Sequence, residues 1–215
     1  MVSPPPAPVP FLPLLGTHLV DDLFAFPVAV LVAVLFNAEG QGWVATLLGD
    51  AHDDKGQRLH FNFFLHLDPL GVVAFVLAGA GWPKWVPIDA ARFPRPRAFL
   101  VLSRLAGPVA NLLLAAIAAS ISFVLSNWGV NDRVFSMVAA VNVATGIYTL
   151  VPIPPMAGAG FLPAFRSGGR LSRKAYYSGS AVLLVLLSAE RYTDFQLLTP
   201  LLDPIVRTIA AYLLG

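Results

Sequence analysis

The stretch that decides the fold is LFAFPVAVLVAVLFNAEGQGWVATLL, residues 23–48, in which Glu39 is the only charged side chain. As an α-helix with a rise of 1.5 Å per residue, it would extend over roughly 39 Å, more than a hydrocarbon core about 30 Å thick. The stretch therefore predicts a first membrane-spanning helix.

The composition of the whole chain points the same way. Of the 215 residues, 57% are hydrophobic and 12% are charged, about half the charged fraction of a soluble domain. The formal net charge is only +2 and the basic residues form no stripe with aromatic residues, which argues against a nucleic-acid partner. The chain has no cysteine, which excludes disulfides and thiolate metal sites. We therefore predict a protein embedded in the lipid bilayer.

Further segments complete an all-α polytopic membrane protein. The uncharged residues 105–125 predict a second span, and residues 134–157 predict a third that the prolines at its end must break. The apolar run 70–82 is too short to cross and predicts a re-entrant or interfacial segment. The alternating residues before it, within 50–68, predict a small hairpin at the membrane surface.

The ends of the chain are less definite. Residues 1–20 are rich in proline and predict an extended tail, so that residues 21–215 form a single transmembrane domain. The runs 175–189 and 195–215 are compatible with two further spans, or with one span and a surface helix. The sequence alone leaves both arrangements open.

The basic residues predict an orientation, because positive charge concentrates in cytoplasmic loops. If residues 70–82 do not cross, three basic loops lie on the same side, and the N-terminus lies outside. We therefore expect an integral multi-pass protein of a prokaryotic plasma membrane. The basic residues of these loops are Lys55, Arg58, Lys84, Arg92, Arg95, Arg97, Arg166, Arg170, Arg173 and Lys174.

A series of motifs in a fixed order carries a family resemblance. They are GWVATLLGD at 42–50, HLDPLG at 66–71, GWPKWVPIDAARF at 81–93, LAGPVANLLLA at 105–115 and LVPIPPMAG at 150–158. In this order the chain resembles the site-2 protease family of intramembrane zinc metalloproteases, in its short form without a PDZ domain. The resemblance covers the chain from about residue 23 onward and implies a site-2-protease-like core.

The residues that carry the family's chemistry are replaced in this chain. The resemblance implies two zinc-binding histidines and a glutamate base in the first helix, which fall on Asn37, Gln41 and Ala38 respectively. The family's third ligand, an aspartate, falls on Ala157, and an asparagine near it falls on Thr149. The scaffold positions of the motifs remain: His66, Asp68, Pro69, Gly107, Pro108, Asn111, Asn142, Pro154 and Pro155.

Zinc in proteins is bound by thiolate, imidazole or carboxylate groups, and none stands at these positions. Glu39 is nearby, but it lies about 200° around the helix from Asn37 and does not restore the ligand set. We therefore expect no catalytic residue, no metal and no other cofactor. Asn37 and Gln41 are predicted to hydrogen-bond to neighbouring helices instead.

The resemblance then implies a binding function. The family fold holds a transmembrane substrate helix, so a form without catalysis could bind or scaffold a partner membrane protein in a hetero-oligomer, as a subunit or assembly factor. An active zinc protease with unrecognised ligands is the alternative, and a transporter has little support from the charge pattern. The candidate partner-binding residues are Asn37, Gln41, Asn111, Asn142, Pro154, Pro155 and Met156.

Two charges are predicted to lie within the membrane, where ionised groups are expensive: Glu39 in the first span and Arg104 in a run that begins near Ala98. Glu39 and Arg104 lie at similar depths from the cytoplasmic end of their helices, about 15 and 10 Å at the rise of an α-helix. One hypothesis is an intramembrane Glu39–Arg104 ion pair. The other is that Arg104 extends to the interface while Glu39 is protonated or faces a water-filled cleft.

Overall fold

The computed structural model describes residues 20–50, 61–162 and 171–215. In these ranges the chain is helical, with an isolated bridge between Leu67 and Pro83. The α-helices are α1 Val20–Leu47, α2 Phe63–His66, α3 Pro69–Ala78, α4 Pro96–Asn127, α5 Val134–Tyr148, α6 Arg173–Tyr192 and α7 Thr199–Leu214. Short 3₁₀ turns are formed by Ala90–Arg92 and Ala157–Phe161.

Helices α1, α4 and α5 pack against one another and form the centre of the molecule. Helix α5 is buried continuously from Ser136 to Tyr148, although it is only 15 residues long. Small residues let the helices approach closely: a Cβ added at Gly40 would lie 2.9 Å from the backbone oxygen of Ala106. Such contacts between small residues are typical of helix packing in membranes.

Two helices are long and apolar enough to cross a membrane. They are Leu23–Leu47 and Pro96–Asn127, and only 22% of the most apolar window of the second is buried. Its uncovered face carries Leu102, Val109, Leu113 and Ile117, each at least half exposed. A continuous apolar stripe of this kind needs a non-aqueous cover, and a bilayer would supply one.

The first two predicted spans fall on helices of the described residues that are long and apolar enough to cross a membrane, with different bounds for the second. Helix α4 begins at Pro96, nine residues before the predicted start at 105, because proline is well accommodated in the first helical turn. The prediction of a third span over 134–157 is wrong in its length. Helix α5 ends at Tyr148, and the proline-containing chain that follows turns back on itself, with the Gly158 N–H bonded to the Thr149 carbonyl at 2.9 Å.

The predicted surface hairpin is wrong where the structure describes it. Residues 63–66 form the single helical turn α2, and the Asn62 side chain caps it by accepting from the Phe64 N–H at 3.1 Å. The remaining residues of that prediction, 51–60, lie outside the described residues. So does the predicted N-terminal tail, apart from Val20 at the start of α1.

The apolar run 70–82 is confirmed as too short to cross a membrane. Helix α3 has ten residues and a length of about 15 Å. Asp68 caps its first turn, accepting from Leu70 at 2.8 Å and from Gly71 at 3.1 Å. Burial raises the pKa of the Asp68 carboxyl, although hydrogen bonds from these two backbone groups act in the opposite direction. The second Asp68 oxygen accepts from the Tyr176 hydroxyl, which ties α3 to α6.

The C-terminal helices α6 and α7 are distinct elements of 20 and 16 residues. Helix α6 packs on α3, whereas α7 packs on α5 and α4. Neither is apolar and long enough to count with Leu23–Leu47 and Pro96–Asn127 as a candidate span. The two arrangements predicted for residues 175–215 therefore both remain open.

Candidate functional site

The positions that correspond to the zinc ligands meet at the centre of the helical core. Asn37 and Gln41 lie one turn apart on α1, because residues i and i+4 share a helical face. Both are buried, with 0% and 3% of their surface exposed. Asn111 of α4 and Asn142 of α5, each 0% exposed, lie beside them. We call these four side chains the carboxamide network.

A continuous series of hydrogen bonds joins the four side chains of the carboxamide network. The Gln41 Nε2 donates to Asn37 Oδ1 at 2.8 Å, and the Asn37 Nδ2 donates to Asn111 Oδ1 at 2.6 Å. The Asn111 Nδ2 donates to Asn142 Oδ1 at 2.8 Å and to the Ala33 carbonyl at 2.9 Å. The sequence prediction that Asn37 and Gln41 bind neighbouring polar groups is confirmed.

The broken segment after α5 closes the same site. The Asn37 Nδ2 lies 3.4 Å from the Thr149 Oγ1, and the Thr149 carbonyl accepts from the Gly158 N–H. Ala157, at the position of the family's aspartate, is therefore next to this group, and it is 4% exposed. Asn37 and Gln41 are thus hydrogen-bonded to each other, Ala157 adjoins a residue bonded to Thr149, and none of the three positions carries a metal-binding side chain.

Close packing accompanies the hydrogen bonds. A Cβ added at Gly107 would lie 2.7 Å from both the backbone oxygen and the Oδ1 of Asn37. Any larger residue at position 107 would therefore push α4 away from α1. The retained GP pair at 107–108 serves to keep the two helices close where the carboxamide network crosses between them.

Arg104 and Glu39 lie beside the network but contact different groups. The Arg104 Nη1 donates to Gln41 Oε1 at 2.8 Å, and its guanidinium carbon lies 3.7 Å from the centroid of a Trp85 ring. Glu39 Oε1 lies 2.8 Å from His66 Nε2 and accepts from the Phe61 N–H at 3.1 Å. The predicted Glu39–Arg104 pair is not among the ion pairs of the described residues, so this prediction is corrected.

The alternative hypothesis, in which Arg104 extends to the membrane interface, is corrected for Arg104. Arg104 is 1% exposed and is held inside the protein instead of extending to an interface. Trp85, its stacking partner, was not among the predicted site residues. It lies in a proline-containing loop, and no periodic pattern in the sequence shows that this loop folds back over α4.

Most of the predicted partner-binding side chains are interior. Besides the carboxamide network, Pro155 and Met156 are buried, whereas Pro154 is only partly buried and Pro152 is exposed. On α1, Trp43 is 54% exposed, two residues beyond Gln41. The carboxamides therefore bind one another, whereas Trp43 and Pro152 are exposed.

The residues present do not fit a zinc ion. Within residues 20–50, 61–162 and 171–215, no group of three or more His, Asp or Glu side chains is placed to hold a metal. At the site itself the available groups are carboxamides, alanines and a guanidinium, and none of them is an anionic or imidazole ligand.

A second polar region lies between α3, α5, α6 and α7. It is a cavity of about 270 Å³, which we call the C-terminal cavity. Tyr148 donates to Asp203 at 2.7 Å across it, and Arg207 lies 3.6 Å from the same carboxylate. Glu190 accepts from Thr199 Oγ1 at 2.8 Å and from the backbone N–H groups that open α7.

Comparison with known proteins gives one informative similarity. The chain is 31% identical over 140 residues to the "Putative zinc metalloprotease YwhC" of Bacillus subtilis (strain 168). The aligned region covers 61% of this chain and 64% of that relative. No family model matches the chain, and no solved structure matches it. The similarity confirms the resemblance to a zinc metalloprotease that the ordered motifs indicated.

Proposed function

We propose that this chain is a catalytically inactive, site-2-protease-like membrane protein that binds a partner membrane protein. The observation that carries the proposal is the carboxamide network at the positions of the zinc ligands. Each of its members is hydrogen-bonded within the chain, as buried polar groups at membrane depth require. A site completed in this way supports helix packing and offers no group to activate water.

The binding role follows from what the chain retains. The helical core and the proline break remain although the ligand positions have changed. Trp43, on the opposite face of α1 from Gln41, and Pro152, in the proline break, are exposed and accessible to a transmembrane or juxtamembrane segment. Aromatic side chains often anchor protein interfaces. We therefore propose a stable hetero-oligomer, with this chain as a subunit or assembly factor.

The membrane setting is part of the same proposal. The uncovered apolar stripe of α4 and the two candidate spans support a multi-pass protein in a prokaryotic plasma membrane. The basic loops would face the cytoplasm and the N-terminus would lie outside. In this arrangement α3 enters from the cytoplasmic side without crossing.

The alternative function is an active intramembrane zinc protease. The name of the Bacillus subtilis relative favours it, because that protein is described as a zinc metalloprotease. It would require metal ligands outside the four positions that the family motifs specify. The donor groups at those positions are unsuitable for zinc, which is why we prefer the binding function.

Crosslinking in membranes and metal analysis of the purified chain test the two functions. A photo-crosslinking amino acid at Trp43 or Pro152 is expected to capture the same partner protein in membranes, whereas one at Leu113, on the lipid-facing stripe, should not. Elemental analysis of the purified chain is expected to find no stoichiometric zinc. Capture of lipid alone at both positions would refute the binding role. A zinc ion retained through dialysis, with peptidase activity lost on chelation, would establish the alternative.

A further inference from the structure

Arg104 holds a full positive charge inside the site. Its Nη1 donates to Gln41 Oε1 at 2.8 Å, and Gln41 occupies the position of the family's second histidine. The Gln41 Nε2 donates to Asn37 Oδ1, and the amide oxygen of the same Gln41 side chain is therefore directed toward Arg104. The guanidinium is thus linked through Gln41 to both of the helical positions that would bind zinc.

The surroundings of Arg104 are shaped for this side chain. Its guanidinium lies over Trp85, whose ring face carries partial negative charge and attracts cations. Its aliphatic part lies against Gly160 of the Ala157–Phe161 turn, where an added Cβ would be 2.7 Å from Arg104 Cγ. A neutral acceptor, an aromatic face and a glycine are thus among the neighbours of this buried cation.

We propose that Arg104 is the resident cation of this site and that its charge excludes a divalent metal ion from the ligand positions 37, 41 and 157. This inference rests on the metal-free site of the proposed function, but not on the existence of a partner. Two cations close together in a medium of low dielectric constant repel strongly. A planar guanidinium also suits the stacked position better than the compact, strongly hydrated ammonium of lysine.

The charge of Arg104 should affect zinc binding by a variant in which the family's zinc ligands are restored. The substitutions Asn37→His, Ala38→Glu, Gln41→His and Ala157→Asp would recreate the family's donor set while Arg104 stays beside it. With Arg104 present, the guanidinium would oppose both the incoming ion and the charge of the metal-bound complex. Reinstating the ligands is therefore expected to be insufficient by itself.

The test compares three forms of this four-fold variant in mild detergent: with Arg104 kept, with Arg104→Met and with Arg104→Lys. Zinc affinity is measured by competition with a fluorescent chelator. The Met form is expected to bind zinc ~100-fold more tightly than the form with Arg104, because the charge is removed while an unbranched side chain is kept. The Lys form keeps the charge and is expected to stay weak.

Equal zinc affinity in the Arg104 and Met forms would overturn the inference, and so would the absence of binding in both. Zinc in the unmodified chain would instead refute the proposed function. A second measurement does not depend on the four-fold variant folding. Methylguanidinium is expected to raise the melting temperature of Arg104→Ala but not that of the unmodified chain. No increase would count against a site built for a guanidinium.

Discussion

The carboxamide network and the C-terminal cavity are both polar interiors, but they are completed in different ways. The network consists of neutral groups that bind one another, and Arg104, which donates to its Gln41, is 1% exposed. The cavity is lined by charged side chains, including Glu190, Asp203 and Arg207, and it contains about 270 Å³ of space. The first region is closed by hydrogen bonds between side chains and to backbone carbonyls, whereas the second has room for water.

This difference predicts different sensitivities to substitution. Removing one member of a closed network leaves its partners buried without hydrogen bonds, which costs the desolvation of each. In a polar cavity that is large enough, water can replace a lost partner. We therefore expect equivalent substitutions to lower the free energy of unfolding more in the network than around the cavity.

The largest effect is expected for Asn111→Leu. Asn111 joins Asn37, Asn142 and the Ala33 carbonyl, so its loss removes three buried hydrogen bonds. The free energy of unfolding should fall by about 2–4 kcal/mol, measured by denaturant titration in detergent micelles. Asn127→Leu, at the exposed end of the same helix, is the matched control. A similar, small change in both variants would show that the network contributes little.

An intermediate effect is expected for Glu190→Gln. The Glu190 carboxylate accepts from Leu197, Leu198 and Thr199 at the start of α7, where a negative charge is also favoured by the helix dipole. A neutral amide accepts through one oxygen only, so we expect a loss of about 1–2 kcal/mol and faster hydrogen exchange in the first turn of α7. Arg191→Gln changes the exposed neighbour and should have no such effect. Unchanged exchange in both variants would refute the capping role.

The smallest effect is expected for Tyr148→Phe. The Tyr148 hydroxyl donates to Asp203, which also lies near Arg207 and borders the cavity. Water can replace the hydroxyl there, and a melting experiment should show a loss of about 0.5–1 kcal/mol. Tyr212→Phe is the control, since Tyr212 is 87% exposed on α7. A loss at position 148 as large as at position 111 would remove the distinction between the two regions.

The sequence predicts those parts of the fold that depend on composition along one segment. The long apolar runs around Val30 and Ala115 predict α1 and α4, and the ten-residue α3 follows from a run too short to cross. The prolines after Leu150 predict the helix break. The break begins at Thr149, whose carbonyl accepts a hydrogen bond from the Gly158 N–H, a contact that cannot be read from composition.

The contacts of Glu39 and Arg104 show why the site is harder to predict than the helices. Glu39 and Arg104 were matched by depth along their helices, but depth does not give direction around the axis. Gln41 is the residue that faces Arg104, and successive residues of a helix are rotated by about 100°, so Glu39 is directed to the opposite side. There it meets His66, whose position depends on how α2 folds back on α1.

The closed network also affects how the protein is made. Every hydrogen-bond partner of Asn37, Gln41 and Asn111 in this core is a group of the polypeptide itself. If the proposed metal-free function holds, the core can assemble once α1, α4 and α5 are in the bilayer, without delivery of an ion by the cell. The yield of folded chain should then be the same in cells grown with scarce or abundant zinc.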